Sequence, residues 1–227
     1  MASQNQNNQD ETTIDKVNSH LTAAGQKVAD NKKYVFWGVG AILIIGVFIL
    51  SYLFIYKKPH DQKAYEAYNK VQLTALGNDS IASAQYKEVA DKFSGDAAGK
   101  LAALSAGETL YNEGKYEEAA KYLQKFDSDD ALLNANALVL TGDCYVNLKK
   151  YDEALDFYRK AIKVADRNPQ VVPRVLLKEA NIYDEQKKYE EALGCYTNIK
   201  KDYPQFQLGN GMSIDAYIAR ENARLGK

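Results

Sequence analysis

The sequence has 227 residues, 46% of them hydrophobic and 26% charged, with a formal charge of −1, which is the balance of a folded protein. There is no basic excess to neutralise phosphates, so a nucleic-acid partner is not expected. The charge also divides evenly, with four basic and four acidic side chains in residues 1–56 and 25 and 26 in the rest.

Residues 1–11 are rich in Gln and Asn and read as a disordered tail. Thr12 or Thr13 offers a cap for a short amphipathic helix over residues 12–33. There Ile14, Val17, Leu21, Ala24 and Val28 recur three and four apart. Such a stripe fits the membrane surface, a partner helix or a dimer seam. Two heptads interrupted by Gly25 are poor material for a coiled coil, so the interfacial placement is preferred.

Residues 34–56 form a run of 23 without a charge, YVFWGVGAILIIGVFILSYLFIY. At about 1.5 Å per residue it spans a bilayer core of about 30 Å with some tilt. Lys32-Lys33 and Lys57-Lys58 bracket it, and aromatics gather at both ends (Tyr34, Phe36 and Trp37; Tyr52, Phe54 and Tyr56). The run is too long for a signal-peptide core and no small-residue cleavage site follows, so an uncleaved single-pass anchor in the lipid bilayer is predicted. Lys27, Lys32 and Lys33 before the span face Lys57, Lys58, Lys63 and Lys70 after it, a count that does not decide orientation and marginally disfavours a cytoplasmic amino terminus.

Beyond the span, residues 61–227 read as one all-α domain. One phrase recurs in it: Gly114-Lys115-Tyr116-Glu117-Glu118-Ala119-Ala120, Lys149-Lys150-Tyr151-Asp152-Glu153-Ala154-Leu155, and Lys187-Lys188-Tyr189-Glu190-Glu191-Ala192-Leu193, with the tyrosines 35 and 38 residues apart. That period suits helical hairpins stacked into a solenoid. A small residue marks each first helix (Gly107, Gly142 and Ala180), with Leu110, Tyr145 and Tyr183 three later. Each second helix opens on Tyr116, Tyr151 or Tyr189, and Ala119, Ala154 or Ala192 is placed at the closest approach. Leu123, Tyr158 and Tyr196 follow four later and are expected over the next repeat's first helix. The clear repeats cover residues 100–133, 135–168 and 173–206. A degenerate copy covers 63–94, with Ala82, Tyr86 and Val89 in the second-helix pattern, and residues 213–225, opened by Ser213, form a terminal capping helix. Cys144 and Cys195 fall at different positions of different repeats, so no disulfide is expected.

These offsets resemble the tetratricopeptide repeat. With the span, the chain is similar to bacterial inner-membrane proteins that carry one amino-terminal span and a periplasmic tetratricopeptide-like domain, the YfgM-type ancillary proteins of the Sec translocon. Its Tyr122–Asp130 stretch and Gly142-Asp143-x-Tyr145 run are similar to Bacteroidetes versions. The resemblance implies a periplasmic domain that binds proteins or peptides, with Sec subunits or periplasmic chaperones as partners. A scaffold or homo-oligomer within an envelope complex is the alternative.

In such arrays fixed positions of the first helices line the concave face. Transferred residue by residue, they give Leu101, Leu104, Glu108, Tyr111 and Asn112 in the first clear copy. The second gives Asn136, Val139, Asp143, Val146 and Asn147, and the third Arg174, Leu177, Asn181, Asp184 and Glu185. Leu104 and Glu108 depart from the basic pattern of carboxylate-gripping members, so an amphipathic or basic peptide is the expected guest. No enzyme, cofactor or metal is expected. His20 and His60 flank the span outside the repeats, no phosphate-cradling loop occurs, and the acidic pairs after each repeated tyrosine suit helix amino termini.

Overall fold

The computed structural model describes residues 22, 30–74, 79–209 and 211–227, and among these it is helical, with no strand. The tail and nearly all of the amphipathic stripe read from the sequence lie outside the described residues. The chain divides into two compact units, Met1–Pro59 and His60–Lys227.

The first unit holds α1 (Lys32–Ser51), followed by a π-helical stretch at Tyr52–Lys57 in which the Tyr52 and Tyr56 rings stack at 5.6 Å. None of these residues is buried, and Phe36 and Ile42 are 78% and 70% exposed. A helix apolar all round, with none of its residues buried among the described ones, suits an apolar surrounding. By length and composition it is able to cross a membrane.

The second unit is a series of helical hairpins: α2 (Lys58–Thr74) and α3 (Asp79–Lys92), α4 (Ala97–Asn112) and α5 (Tyr116–Leu123), α6 (Ala131–Asn147) and α7 (Tyr151–Ala165), α8 (Val172–Glu185) and α9 (Tyr189–Asp202), then α10 (Ile214–Arg224). The three repeated tyrosines each open a second helix. The acids behind them, Glu117 and Glu118, Asp152 and Glu153, and Glu190 and Glu191, occupy its first turn, where the helix dipole favours negative charge.

The turns between the paired helices share one conformation. Gly114, Lys149 and Lys187 all have left-handed backbones, φ 77°, 61° and 59°. Each donates its N–H three residues back, and the next residue donates five back: Gly114 to Tyr111 and Lys115 to Leu110, Lys149 to Val146 and Lys150 to Tyr145, Lys187 to Asp184 and Lys188 to Tyr183. This is the Schellman closure, which satisfies carbonyls left open at the helix end. Only the first copy spends a glycine on it; the other two carry a Cβ in a region that costs an L-residue about 1–2 kcal/mol.

Gly107 and Gly142 set how close the paired helices come. A Cβ on Gly142 would run into the Tyr158 ring, and one on Gly107 into Leu123. Leu123 and Tyr158 therefore pack on the small residue of their own hairpin, and each also shares a core cluster with the next repeat's first helix, Leu123 with Ala137 and Tyr158 with Val175. Ala119 and Ala154 are fully buried as well. The core runs on in three clusters. Tyr86, Phe93, Leu110 and Leu123 centre the first, Leu155, Tyr158 and Val175 the second, and Ala180, Cys195 and Tyr196 the third.

Among the described residues, side chains cap the starts of α6 and α10: Asp130 accepts from the N–H groups of Leu132 and Leu133, and Ser213 from that of Ala216. The terminal helix α10 nevertheless buries only Glu221 completely. Its Ile214, Tyr217 and Ile218 are half-buried on the third cluster.

Gly→Ala inside a helix ordinarily stabilises, so Gly142 offers a sharp check. Gly142→Ala is expected to destabilise the repeat unit by about 1–3 kcal/mol through overpacking against Tyr158. Lys187→Gly is expected to stabilise it by about 0.5–1 kcal/mol by relieving the left-handed turn. Urea midpoints of the full chain in detergent micelles measure both, and a stabilising Gly142→Ala would contradict the seam.

Candidate functional site: a groove between first helices

The first helices α4, α6 and α8 bring Tyr111, Asp143, Val146, Asn147, Asn181 and Glu185 around one cavity of about 250 Å³, joined by Tyr158, Lys178 and Ile182. These are the later positions of the transferred set, toward the carboxyl ends of the first helices. The earlier positions go elsewhere. Leu104 is 8% exposed and belongs to the first core cluster, so it packs the fold rather than facing a guest. Leu101 and Val139 are partly buried against the core, Leu177 packs toward the terminal helix, and Arg174 faces a second cleft with Tyr203, Pro204 and Phe206. Glu108, Asn112 and Asn136 are exposed.

The acidic tint expected of the groove is largely consumed inside the protein. Lys178 Nζ reaches both carboxylate oxygens of Asp143, at 2.8 and 2.9 Å, and the Tyr158 hydroxyl donates to the same carboxylate at 2.5 Å. Burial first, and then the Asp143 charge, push the Tyr158 hydroxyl far above its ordinary range, so it stays a donor. Lys149 pairs with Glu185 at 3.3 Å across the next gap. Asn147 bonds its own helix at the Asp143 carbonyl, 2.9 Å, and makes a long 3.5 Å contact to the Tyr111 hydroxyl.

Asp184 is committed as well. It accepts from Arg220 and Arg224 of α10, the latter at 3.2 Å, and from the Tyr196 hydroxyl at 3.2 Å. Arg220 and Arg224 also clasp the fully buried Glu221, at 2.5 and 3.1 Å. Their guanidinium groups lie over the rings of Tyr217 and Tyr189, at 4.7 and 5.0 Å. Asp184 therefore seats the terminal helix and is not part of an open groove.

Sequence reasoning misses Lys178, Tyr158, Arg220 and Arg224 at these places, yet a signal is present. Lys178 lies 35 residues from Asp143, and Arg220 lies 36 from Asp184, close to one repeat period. Residues one period apart stack in neighbouring repeats, so opposite charges at that offset predict a pair.

Cys144 and Cys195 are free and buried, and burial pushes both thiols up to about 12, so neither is a nucleophile at neutral pH. His60 is not set apart from the repeats. It lies against Phe93, edge to face at 5.4 Å, and its Nδ1 is 2.8 Å from Asp96 Oδ2.

Parts of the chain match two families of known proteins. Residues 84–161 match the family described as anaphase-promoting complex, cyclosome, subunit 3, and residues 174–205 match the tetratricopeptide repeat family. An uncharacterized protein of Aquifex aeolicus is 34% identical over 85 residues, 37% of this chain, and the match spans only about half (47%) of that relative. Two crystal structures of MamA share the fold at TM-scores of 0.55 and 0.56 with 19% and 18% identity, covering 68% and 74% of this chain and 83% of each of those chains. The two partial family matches and the shared fold support a tetratricopeptide-like helical solenoid, and with it a protein-interaction or scaffold module.

Glu179 carries a liability that the groove residues do not. It is 7% exposed in α8, and its Oε1 finds no hydrogen-bond partner. Burial pushes its carboxyl up to about 7, partly opposed by Arg159. The folded state therefore holds this proton more tightly than the unfolded one. Full stability is present below the unfolded value near 4.5 and is lost as pH rises through about 7. The loss is on the order of 3 kcal/mol above pH 7. Glu179→Gln is expected to flatten this dependence, matching the parent near pH 4.5 and exceeding its unfolding midpoint at pH 8. Parallel pH profiles for the two proteins would show that Glu179 ionises freely.

Proposed function

We propose that this chain is a single-pass protein of the bacterial inner membrane whose repeat unit, on the periplasmic side, binds other proteins as an accessory to a translocase or chaperone network. The observation that carries the binding role is the groove itself, where three successive first helices converge on one cavity between Tyr111, Val146 and Asn181. The anchor rests on α1, which is apolar all round and has no residue buried. The side of the membrane and the class of partner rest on the resemblance to ancillary proteins of the Sec translocon.

The groove suits an amphipathic segment. Asp143 and Glu185 already have Lys178 and Lys149 as partners, so the open surface is polar and aromatic with little free charge. A weak site is sufficient for such a role, because anchoring in one bilayer raises the effective concentration of membrane-bound partners.

Photo-crosslinking in native membranes, with the probe replacing the exposed Asn181, tests the proposal. Adducts with translocon or chaperone polypeptides are expected, falling at least several-fold when Val146 becomes Lys. Adducts with the chain itself alone would make it a self-assembling scaffold. Cytoplasmic adducts would reverse its orientation, and either result overturns the accessory role.

A further inference from the structure

His60 and Asp61 occupy neighbouring positions in the first turn of α2, and Asp96 stands at the start of α4. One imidazole nitrogen and one oxygen from each carboxylate lie within 4.8 Å of one another. Three features of this cluster are unusual for a solvated patch. Asp96 has the extended backbone of a helix cap (φ −98°, ψ 155°), yet its carboxylate makes no capping bond and turns toward His60. Its Oδ2 is buried and lacks a hydrogen bond of good geometry, although it lies 2.8 Å from His60 Nδ1. The His60 ring is held in place by Phe93 at 5.4 Å.

The second carboxylate of the cluster has no partner of its own. Two carboxylates converge, and Asp61 has no ion pair or hydrogen bond among the described residues. Lys100 pairs with Asp127 at 2.5 Å, and Lys92 lies over the Phe93 ring at 5.4 Å.

We propose that His60, Asp61 and Asp96 bind one divalent transition-metal ion, of which Zn²⁺ is the best match, tying α2 to the segment that leads into α4. A nitrogen donor beside two carboxylates favours zinc and its neighbours over magnesium and calcium, which take oxygen ligands. Donors around a tetrahedral zinc stand roughly 3.3 Å apart for bonds of about 2.0–2.1 Å. Rotations moving the donors by on the order of 1 Å would therefore close the set, and a water would complete it. The ion would strengthen the degenerate first hairpin, whose α2 is otherwise tied to the unit by side-chain contacts such as Tyr68 to Ser105 at 3.3 Å and Thr74 to Gln85 at 3.2 Å. This site is separate from the groove and does not depend on the function proposed for it.

The test is Zn²⁺ titration of the full chain in detergent micelles, purified on a histidine-free tag with His20→Ala as background, against a chromophoric chelator. Saturable binding at one ion per chain is expected, undiminished by excess Mg²⁺. Asp61→Asn, which removes a side chain with no other bond, is expected to weaken it at least tenfold. Asp96→Asn and His60→Ala are expected to abolish it. Metal should also slow amide exchange in α2 of the parent and not of Asp61→Asn, a readout that a misfolded variant cannot imitate. Absence of one-to-one binding, equal affinity in Asp61→Asn and the parent, or displacement by Mg²⁺ would each overturn the site.

Discussion

The repeat unit depends on a missing Cβ. At Gly142 the absence of a side chain lets the Tyr158 ring lie directly on the backbone of α6, and the same relation holds between Gly107 and Leu123. A fully buried tyrosine is a large apolar payload with one polar tip, and that tip has to be satisfied. In this hairpin it reaches past the seam to Asp143 and so into the groove. Packing inside one repeat and the chemistry of the surface it presents are thereby fixed by the same side chain.

A second regularity joins one repeat to the next. Tyr122 and Lys125 reach Asp91, Lys178 reaches Asp143, and Arg220 reaches Asp184, at separations of 31, 34, 35 and 36 residues. Such bonds are what stacking at a fixed period produces, since equivalent positions of adjacent hairpins come to lie side by side. They also explain why the terminal helix holds its place while burying little apolar surface. Two arginines and two acids clasp it, with aromatic rings beneath the guanidinium groups. A helix held in this way is more sensitive to salt and pH than one held by a buried apolar face.

Much of this is legible in the sequence because a repeat states its pattern several times. The period, the all-helical class, the tyrosine that opens each second helix and the small residue of each first helix all follow from register. What stays illegible is the direction of individual side chains. Leu104 occupies a groove position by register but turns into the core, while Asp184, also a groove position, is drawn away by Arg220 and Arg224. Spacing along one helix does not say how many neighbours a side chain meets, so register alone does not show that Tyr158 also packs on Gly142 of its own hairpin. Distance from the clear repeats hides His60, although it lies 36 residues before Asp96, again one period.

Hairpin packing and groove chemistry meet at Tyr158, and a double-mutant cycle on Tyr158→Phe and Lys178→Met, read by urea unfolding of the full chain in detergent micelles, measures that link most directly. The two substitutions share Asp143, and a coupling energy on the order of 1 kcal/mol is predicted. Additive effects within a few tenths of a kcal/mol would contradict it. They would mean that the Tyr158 hydroxyl and the Lys178 ammonium do not share the Asp143 carboxylate in solution.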